Sequence, residues 1–203
     1  MMGRKFWGGV FACVLAACAG SPAVGAVITY SGFGHSLVTN VTHNGSPGNE
    51  IAGELLIAVD GTPHIAYCVD LDAGTTPVWD ATLLPVSVIN GGLQIGWLYD
   101  NFAGGVTTNE EAAGLQIAMW EILADHPAAA DLGAGNFLLN SPPVVLAQAN
   151  FYLSQIPADL TGYIPKSLIV FSGDNPRSQH MIIPEPASIL GLLLGCALIR
   201  RTR

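Results

Sequence analysis

The chain has 203 residues, half of them hydrophobic, with 7 basic against 15 acidic side chains and a formal net charge of −8. Five of the bases, Arg4, Lys5, Arg200, Arg201 and Arg203, lie in the two ends, so residues 27–183 carry 14 acids against only Lys166 and Arg177, a formal charge of −12. That balance excludes a nucleic-acid partner and disfavours anionic membrane surfaces, which both need clustered Lys and Arg, and no phosphate-binding glycine motif or dinucleotide fingerprint is present.

Arg4 and Lys5, followed by the apolar stretch Phe6 to Ala19, read as the charged and hydrophobic regions of a secretory signal. Two processing sites fit. Val24-Gly25-Ala26 satisfies the small-residue rule and would start the mature chain at Val27, whereas Leu15-Ala16-Ala17-Cys18 resembles a lipobox and would leave a lipidated Cys18. A second anchor at the far end favours the first, so residues 1–26 are taken as the signal peptide and 27–183 as the folded domain. About 157 residues are enough to bury a core of their own.

Within that domain, Val27 to Tyr30 and Ser36 to Val41 have the β-branched or alternating character of strands. Asn44 to Asn49 reads as a loop. Ile51 to Val59 and His64 to Val69 flank Asp60-Gly61-Thr62-Pro63, a turn sequence suited to a hairpin. Cys68 therefore falls near a strand end, sharing its face with Ala66 while Tyr67 and Val69 point the other way.

Cys13, Cys18 and Cys196 belong to the ends, which leaves Cys68 the single cysteine of the domain. A lone thiol in an exported protein needs a partner chain or another kind of bond. His64 with Asp70 or Asp72 suggests a Cys-His-Asp hydrolase, but four residues along a strand place His64 and Cys68 ~13 Å apart. Asp70-Leu71-Asp72-Ala73-Gly74 resembles the start of a calcium loop without its later ligands or closing glutamate. His35, His43, His126 and His180 stand singly, with no metal-ligand spacing, so neither metal nor cofactor is expected.

Leu93 to Phe102 carries apolar residues at helical spacing, and Asn109 to Ala124 is the strongest helix, opened by a Thr108/Glu111 capping box and ended by His126-Pro127. Gln116 falls inside its apolar stripe of Ala112, Leu115, Met119 and Leu123. A buried amide without partners costs a few kcal/mol, so this carboxamide must be hydrogen-bonded or used covalently. A further helix spans Val144 to Leu153 after Ser141-Pro142-Pro143, and strands return at Leu168 to Phe171 and His180 to Ile183 around a Gly173-Asp174-Asn175-Pro176 turn. The order β, then α, then β predicts an α+β fold: a β-sandwich or barrel with a helical subdomain inserted at about 91–157.

The chain ends in Pro184-Glu185-Pro186, the apolar run Ala187 to Ile199 and the arginines 200, 201 and 203. Hydropathy alone gives a short C-terminal membrane helix with its arginines in the cytoplasm. Over residues 184–203 the pattern is more specific and resembles the PEP-CTERM sorting signal. That resemblance implies an exosortase-type processing enzyme as a partner, a transient inner-membrane anchor, and a surface or matrix destination in a Gram-negative bacterium making extracellular polysaccharide.

Tyr67-Cys68-Val69-Asp70-Leu71 and Leu115-Gln116-Ile117-Ala118-Met119-Trp120, with a weaker echo at Gln179-His180-Met181-Ile182, resemble the signature segments of the thioester domain family of bacterial surface proteins. The likeness spans residues 31–183. It departs at Leu115, where the family usually has threonine. It implies a bond from Cys68 Sγ to the Gln116 side-chain carbonyl, formed with loss of ammonia and shielded by neighbours such as Tyr67 and Trp120. The expectation is a non-enzymatic surface protein that couples once, through Gln116, to an amine or hydroxyl of an extracellular target. Lys166, the one lysine of the domain, leaves few internal amines to compete. The alternative is a passive exopolysaccharide or biofilm matrix protein in which Cys68 is a free or intermolecular thiol; a cysteine hydrolase is a third class.

Overall fold

A computed structural model describes residues 24–173 and 178–185. Most of the signal peptide with Cys18, the turn residues 174–176, Arg177 and the tail from Pro186 onward lie outside the described residues. The elements in chain order are β1 (Val24–His43), β2 (Ser46–Val59), β3 (Thr62–Cys68), β4 (Val78–Pro85), α1 (Gly92–Phe102), α2 (Asn109–Asp125), β5 (Phe137–Leu139), α3 (Pro143–Gln155), β6 (Ser167–Ser172) and β7 (Met181–Pro184). The fold is mixed α/β, with three helices and one large antiparallel sheet.

The strands pair in the order β2-β3-β7-β6-β4-β1-β5, and β1 also pairs with β2, so the pairings return on themselves. This is possible because β1 is long: residues 24–29 lie against β4 while residues 28–43 run along β2. Two separate strands were expected here, and the structure joins them through register shifts between Tyr30 and Gly32 and between Phe33 and Ser36. Such bulges bend a strand and sharpen its twist, which lets one strand serve two neighbours. The expected loop at Asn44 to Asn49 contracts to the two residues Asn44-Gly45, both at positive φ, and Asp60-Gly61 makes the matching turn into β3. Asn-Gly and Asp-Gly are the pairs that a type I′ hairpin turn favours.

Two strands were not read from the sequence. Trp79, Ala81 and Leu83 of β4 are buried in strict alternation, a period-two signal too short to stand out between its neighbours. β5 has only three residues and pairs with β1 at Val41 to His43, so the region between α2 and α3 contributes to the sheet as well as to the helices.

One buried cluster includes Ile28, Leu55, Ala66, Cys68, Trp79, Met181 and, from α2, Ala113, Ile117 and Trp120. The other includes Tyr67, Val69, Ile169 and Ile182 with α1 and the opposite flank of α2, Leu115, Ala118 and Met119. The alternation expected along β3 is seen in this division. Helix α2 lies between the clusters and is buried at every residue from Ala112 to Ile122, not along one stripe.

Both ends of α2 are fixed by polar contacts. Thr108 Oγ1 accepts the Glu111 N–H at 3.2 Å, and Glu111 Oε2 accepts the Thr108 N–H at 3.1 Å, closing the capping box. The Thr107 N–H and hydroxyl donate to the same carboxylate oxygen at 2.8 and 3.0 Å, and these bonds, with those to Thr108, hold the Glu111 carboxyl below its ordinary range. Asn109 Oδ1 takes the Ser36 N–H at the β1 bulge. At the other end Asn90 Nδ2 donates to the Leu123 and His126 carbonyls, and the Asp125 carboxylate accepts the N–H groups of Asn136 and Phe137. Among the described residues no helix is long and apolar enough to cross a membrane.

Two substitutions test this frame. Gly53 has φ +142 and faces the β1 bulge, where an added Cβ would collide with the His35 carbonyl oxygen and lie 2.7 Å from Ser36 Cα. Gly53→Ala is expected to cost about 2 kcal/mol or more in a urea titration. Thr108→Ala removes one half of the capping box and is expected to cost about 1 kcal/mol in the same measurement.

Candidate functional site

The β2–β3 ladder runs from Val59 opposite Thr62 to Leu55 opposite Ala66 and stops short of Cys68. On its other side β3 continues to β7, with Cys68 opposite Met181 and the Val69 N–H bonded to the His180 carbonyl. Backbone groups alternate along a strand, so those of Cys68 point to the side that β2 has left. Gln116 fills the gap. Cys68 N–H donates to Gln116 Oε1 at 2.9 Å, and Gln116 Nε2 donates to the Cys68 carbonyl at 2.7 Å. The carboxamide thus takes the place of a neighbouring strand's peptide group. Cys68 is 3 % exposed and Gln116 1 %, so both bonds are shut off from water.

The structure therefore brings the two residues of the expected crosslink together across 48 positions of sequence. Cys68 Sγ donates to the Asp70 carbonyl at 2.9 Å and accepts the Asp70 N–H at 3.3 Å. Burial pushes the thiol up to about 12, against the downward pull of the Asp70 backbone bond and the Trp120 side chain; the charges of Asp70 and Glu50 add to the rise. Free thiolate is scarce at neutral pH under those conditions. The carboxamide carbon, by contrast, is polarised by the Cys68 N–H on its oxygen, the placement that would also stabilise an oxyanion.

The two expected shielding residues occupy different sides. Trp120 is one helical turn after Gln116 and shares the cluster of Cys68. Tyr67 lies in the other cluster, edge-on to Tyr99 at 6.1 Å between ring centroids, so it covers the α1 side of β3 and not the sulfur side. Burial first, then the Glu54 charge, raises its phenol well above the ordinary tyrosine range.

His64 sits earlier on β3 and is not drawn to Cys68; it lines a separate open cavity of about 480 Å³ with Ile65, Tyr99, Asp100 and Lys166. Two His–Asp pairs escaped the sequence reading because their members come from distant segments. His180 Nδ1 lies 3.6 Å from Asp70 Oδ2, and His43 Nδ1 lies 3.7 Å from Asp72 Oδ1. The His180 ring stacks on Phe171 at 4.2 Å, and its Nε2 lies 3.3 Å from the Ser172 carbonyl oxygen. These pairs border an open cavity of about 440 Å³ that begins at Val69 and Asp70, immediately past Cys68. His35 Nδ1 contacts Asn109 Oδ1, and His126 caps α2. Among the described residues no group of three His, Cys, Asp or Glu side chains converges on a metal position. Of the sorting motif, Pro184 closes β7 opposite Ser167 and the Glu185 N–H donates to the Lys166 carbonyl, while Pro186 lies outside the described residues.

One turn beyond the pair, Glu121 is 1 % exposed, with Oε1 accepting the Asp131 N–H at 2.7 Å and Oε2 without a hydrogen-bond partner. Burial raises its pKa from 4.5 to about 7; the Asp131 bond opposes this, and the Asp125 and Asp131 charges add to it. Between those two pH values the folded chain holds a proton that the unfolded chain has released, so this group's contribution to stability falls as pH rises through the window and is level above it. Glu121→Gln keeps the acceptor for Asp131 and removes the titration. It is expected to flatten the melting temperature across that window and to raise it relative to wild type at pH 8.

A comparison of the chain with protein-family models finds no match, and neither curated proteins nor solved structures give one.

Proposed function

We propose that this protein is exported to the cell surface or extracellular matrix and carries an internal thioester between Cys68 and Gln116, through which it attaches covalently to an amine or hydroxyl of an extracellular target. The observation that carries this reading is the pair of hydrogen bonds between the Gln116 carboxamide and the Cys68 backbone, which holds the acyl group against the residue that bears the only thiol of the domain. Nucleophile and amide are held together before reaction, the condition under which an otherwise inert amide can be attacked.

The step balances within the pair. Cys68 Sγ bonds to the Gln116 side-chain carbonyl carbon, the C–N bond breaks, the thiol proton passes to the departing nitrogen and ammonia leaves. The Cys68 N–H stays on the carbonyl oxygen throughout. An incoming amine or alcohol then bonds to the same carbon, Cys68 departs and recovers a proton, and the target remains joined to Gln116. Each molecule reacts once, so this is attachment and not turnover. Its approach would run through the cavity at Val69 and Asp70, since the pair itself is enclosed.

On this reading the returning strand pairings are the barrel of the expected architecture and residues 91–157 its helical insertion. Pro184-Glu185-Pro186, directly after the last strand, is the start of a PEP-CTERM-type tail read by an exosortase-type enzyme, in keeping with an exported acidic domain of a Gram-negative bacterium. A second reading draws on the same hydrogen bonds: they satisfy a buried amide without any chemistry, as in a passive matrix protein with a free buried thiol.

Intact mass of the purified protein separates the two. The proposal expects a mass short by one ammonia, restored by Cys68→Ala or Gln116→Ala, and a methylamine adduct on Gln116 accompanied by one newly titratable thiol. Full mass, with a thiol that reacts only after unfolding, would sink it and support the passive reading.

A further inference from the structure

Helix α2 ends beside a cavity of about 150 Å³ whose lining divides into apolar side chains and carboxylates. Ile122, Leu153 and Ile156 supply the apolar part, Ala128 and Ala130 are its exposed members, and Glu121 and Asp125 bring the acids. Glu121 is the informative one. It is 1 % exposed, its Oε1 accepts the Asp131 N–H at 2.7 Å, and its Oε2 has no hydrogen-bond partner. The other buried polar atoms without partners are neutral hydroxyls and indoles that border none of the cavities described above, and a ring nitrogen of the half-buried His64. Glu121 alone is an acid. A dry carboxylate oxygen costs more than a dry hydroxyl, so this is the position that asks most strongly for a donor.

The described chain supplies no cation there. Helix α2 has no basic residue in its last turn, although the C-terminal end of a helix favours positive charge. Among the described residues Lys166 is the one lysine or arginine, and it borders a different cavity. Asp125 already accepts the N–H groups of Asn136 and Phe137, which leaves Glu121 as the acceptor in need.

We propose that this cavity is a binding site for an alkylguanidinium, the arginine side chain of a partner polypeptide, with its head on the Glu121 carboxylate and its stem among Ile122, Leu153 and Ile156. A cavity of this volume holds about six non-hydrogen atoms, the room benzene takes in an engineered one, and a guanidinium with two methylenes matches that. Guanidinium is permanently charged, weakly hydrated and shaped as a fork for carboxylate, so it enters an apolar-walled site more readily than ammonium. Free arginine would bring its own carboxylate to a segment that already carries Asp125 and Asp131; a peptide-linked residue does not. The excess of acid over base in the domain draws a basic partner toward it. The site is separate from the Cys68–Gln116 pair and does not depend on the thioester.

The test titrates n-butylguanidinium and its neutral isostere n-butylurea into the purified protein, with binding followed by calorimetry. At pH 8 the guanidinium is expected to bind about tenfold more tightly than the urea, the scale of a hydrogen bond to a charged group, and Glu121→Gln is expected to erase the preference. Burial raises the Glu121 pKa to about 7, so guanidinium affinity is expected to climb as pH rises through that value and the carboxylate forms. Asp125, Asp131 and His126 remain in the Gln variant, so the difference between the two pH profiles belongs to Glu121. Ala128→Leu fills the cavity from its exposed side with every charge intact and is expected to weaken guanidinium binding as well, which keeps the proposal open to refutation should the Gln variant fail to fold. The blocked tripeptide acetyl-Gly-Arg-Gly-amide is expected to bind as butylguanidinium does, and free arginine more weakly. Equal binding of guanidinium and urea, or a Gln variant that binds like wild type, overturns the site. Binding of butylguanidinium without the tripeptide overturns the assignment of a polypeptide partner.

Discussion

Two hydrogen bonds, from the Cys68 N–H to Gln116 Oε1 and from Gln116 Nε2 to the Cys68 carbonyl, join the sheet to the buried helix at the point where strand pairing runs out. Without them four polar groups would be buried unpaired, each at a cost of about 1 to 3 kcal/mol. The arrangement has a strict geometric demand: α2 must present position 116 at the height of Cys68 and nowhere else. The contacts at its ends meet that demand. Asn109 fixes the first turn to the β1 bulge, and Asn90 and Asp125 secure the last. A helix pinned at both ends and enclosed along eleven residues has little freedom to slide, so the two hydrogen bonds keep their register.

Much of this was legible in the sequence because it follows from local rules. The capping box, the Asp60-Gly61 turn and the alternation at Ala66, Tyr67 and Cys68 depend on neighbours a few residues apart. Gln116 stood out as an amide among apolar residues, and Cys68 as an unpaired thiol. The rest depends on long-range geometry. Nothing local announces that β1 bends to serve two partners, that β4 fills the space between β1 and β6, or that three residues of β5 join the sheet. Nor could spacing alone foresee the His180–Asp70 and His43–Asp72 pairs, whose members meet only because β7 and the β1–β2 turn converge on the segment after Cys68. The stripe assigned to α2 was too narrow for the same reason: a helix between two clusters is apolar on both flanks.

The buried amide and the buried thiol stand in different electrostatic positions. The amide is polarised toward attack by a backbone donor, whereas the thiol is held protonated by its surroundings, with Asp70 on both sides of its sulfur. Ionisation of a thiol in such surroundings is unfavourable, and only a group that stabilises negative sulfur would ease it. Tyr67 lies on the far side of β3, where the Glu54 charge acts on its phenol, whereas Trp120 shares the cluster of Cys68.

The closed circuit of strand pairings bears on how the protein meets others. Unpaired strand edges invite strand addition and polymerisation. Here β1, β2, β3, β7, β6 and β4 follow one another back to β1, and β5 is a rim of only three residues. Where β3 runs past β7 at Ile65, the Tyr99 hydroxyl takes up the carbonyl that would otherwise recruit a neighbour. The edge that stays open is the far half of β2, Ser46 to Glu54, which pairs with β1 on one side and is left by β3 on the other, so any strand added to this sheet would find its place there.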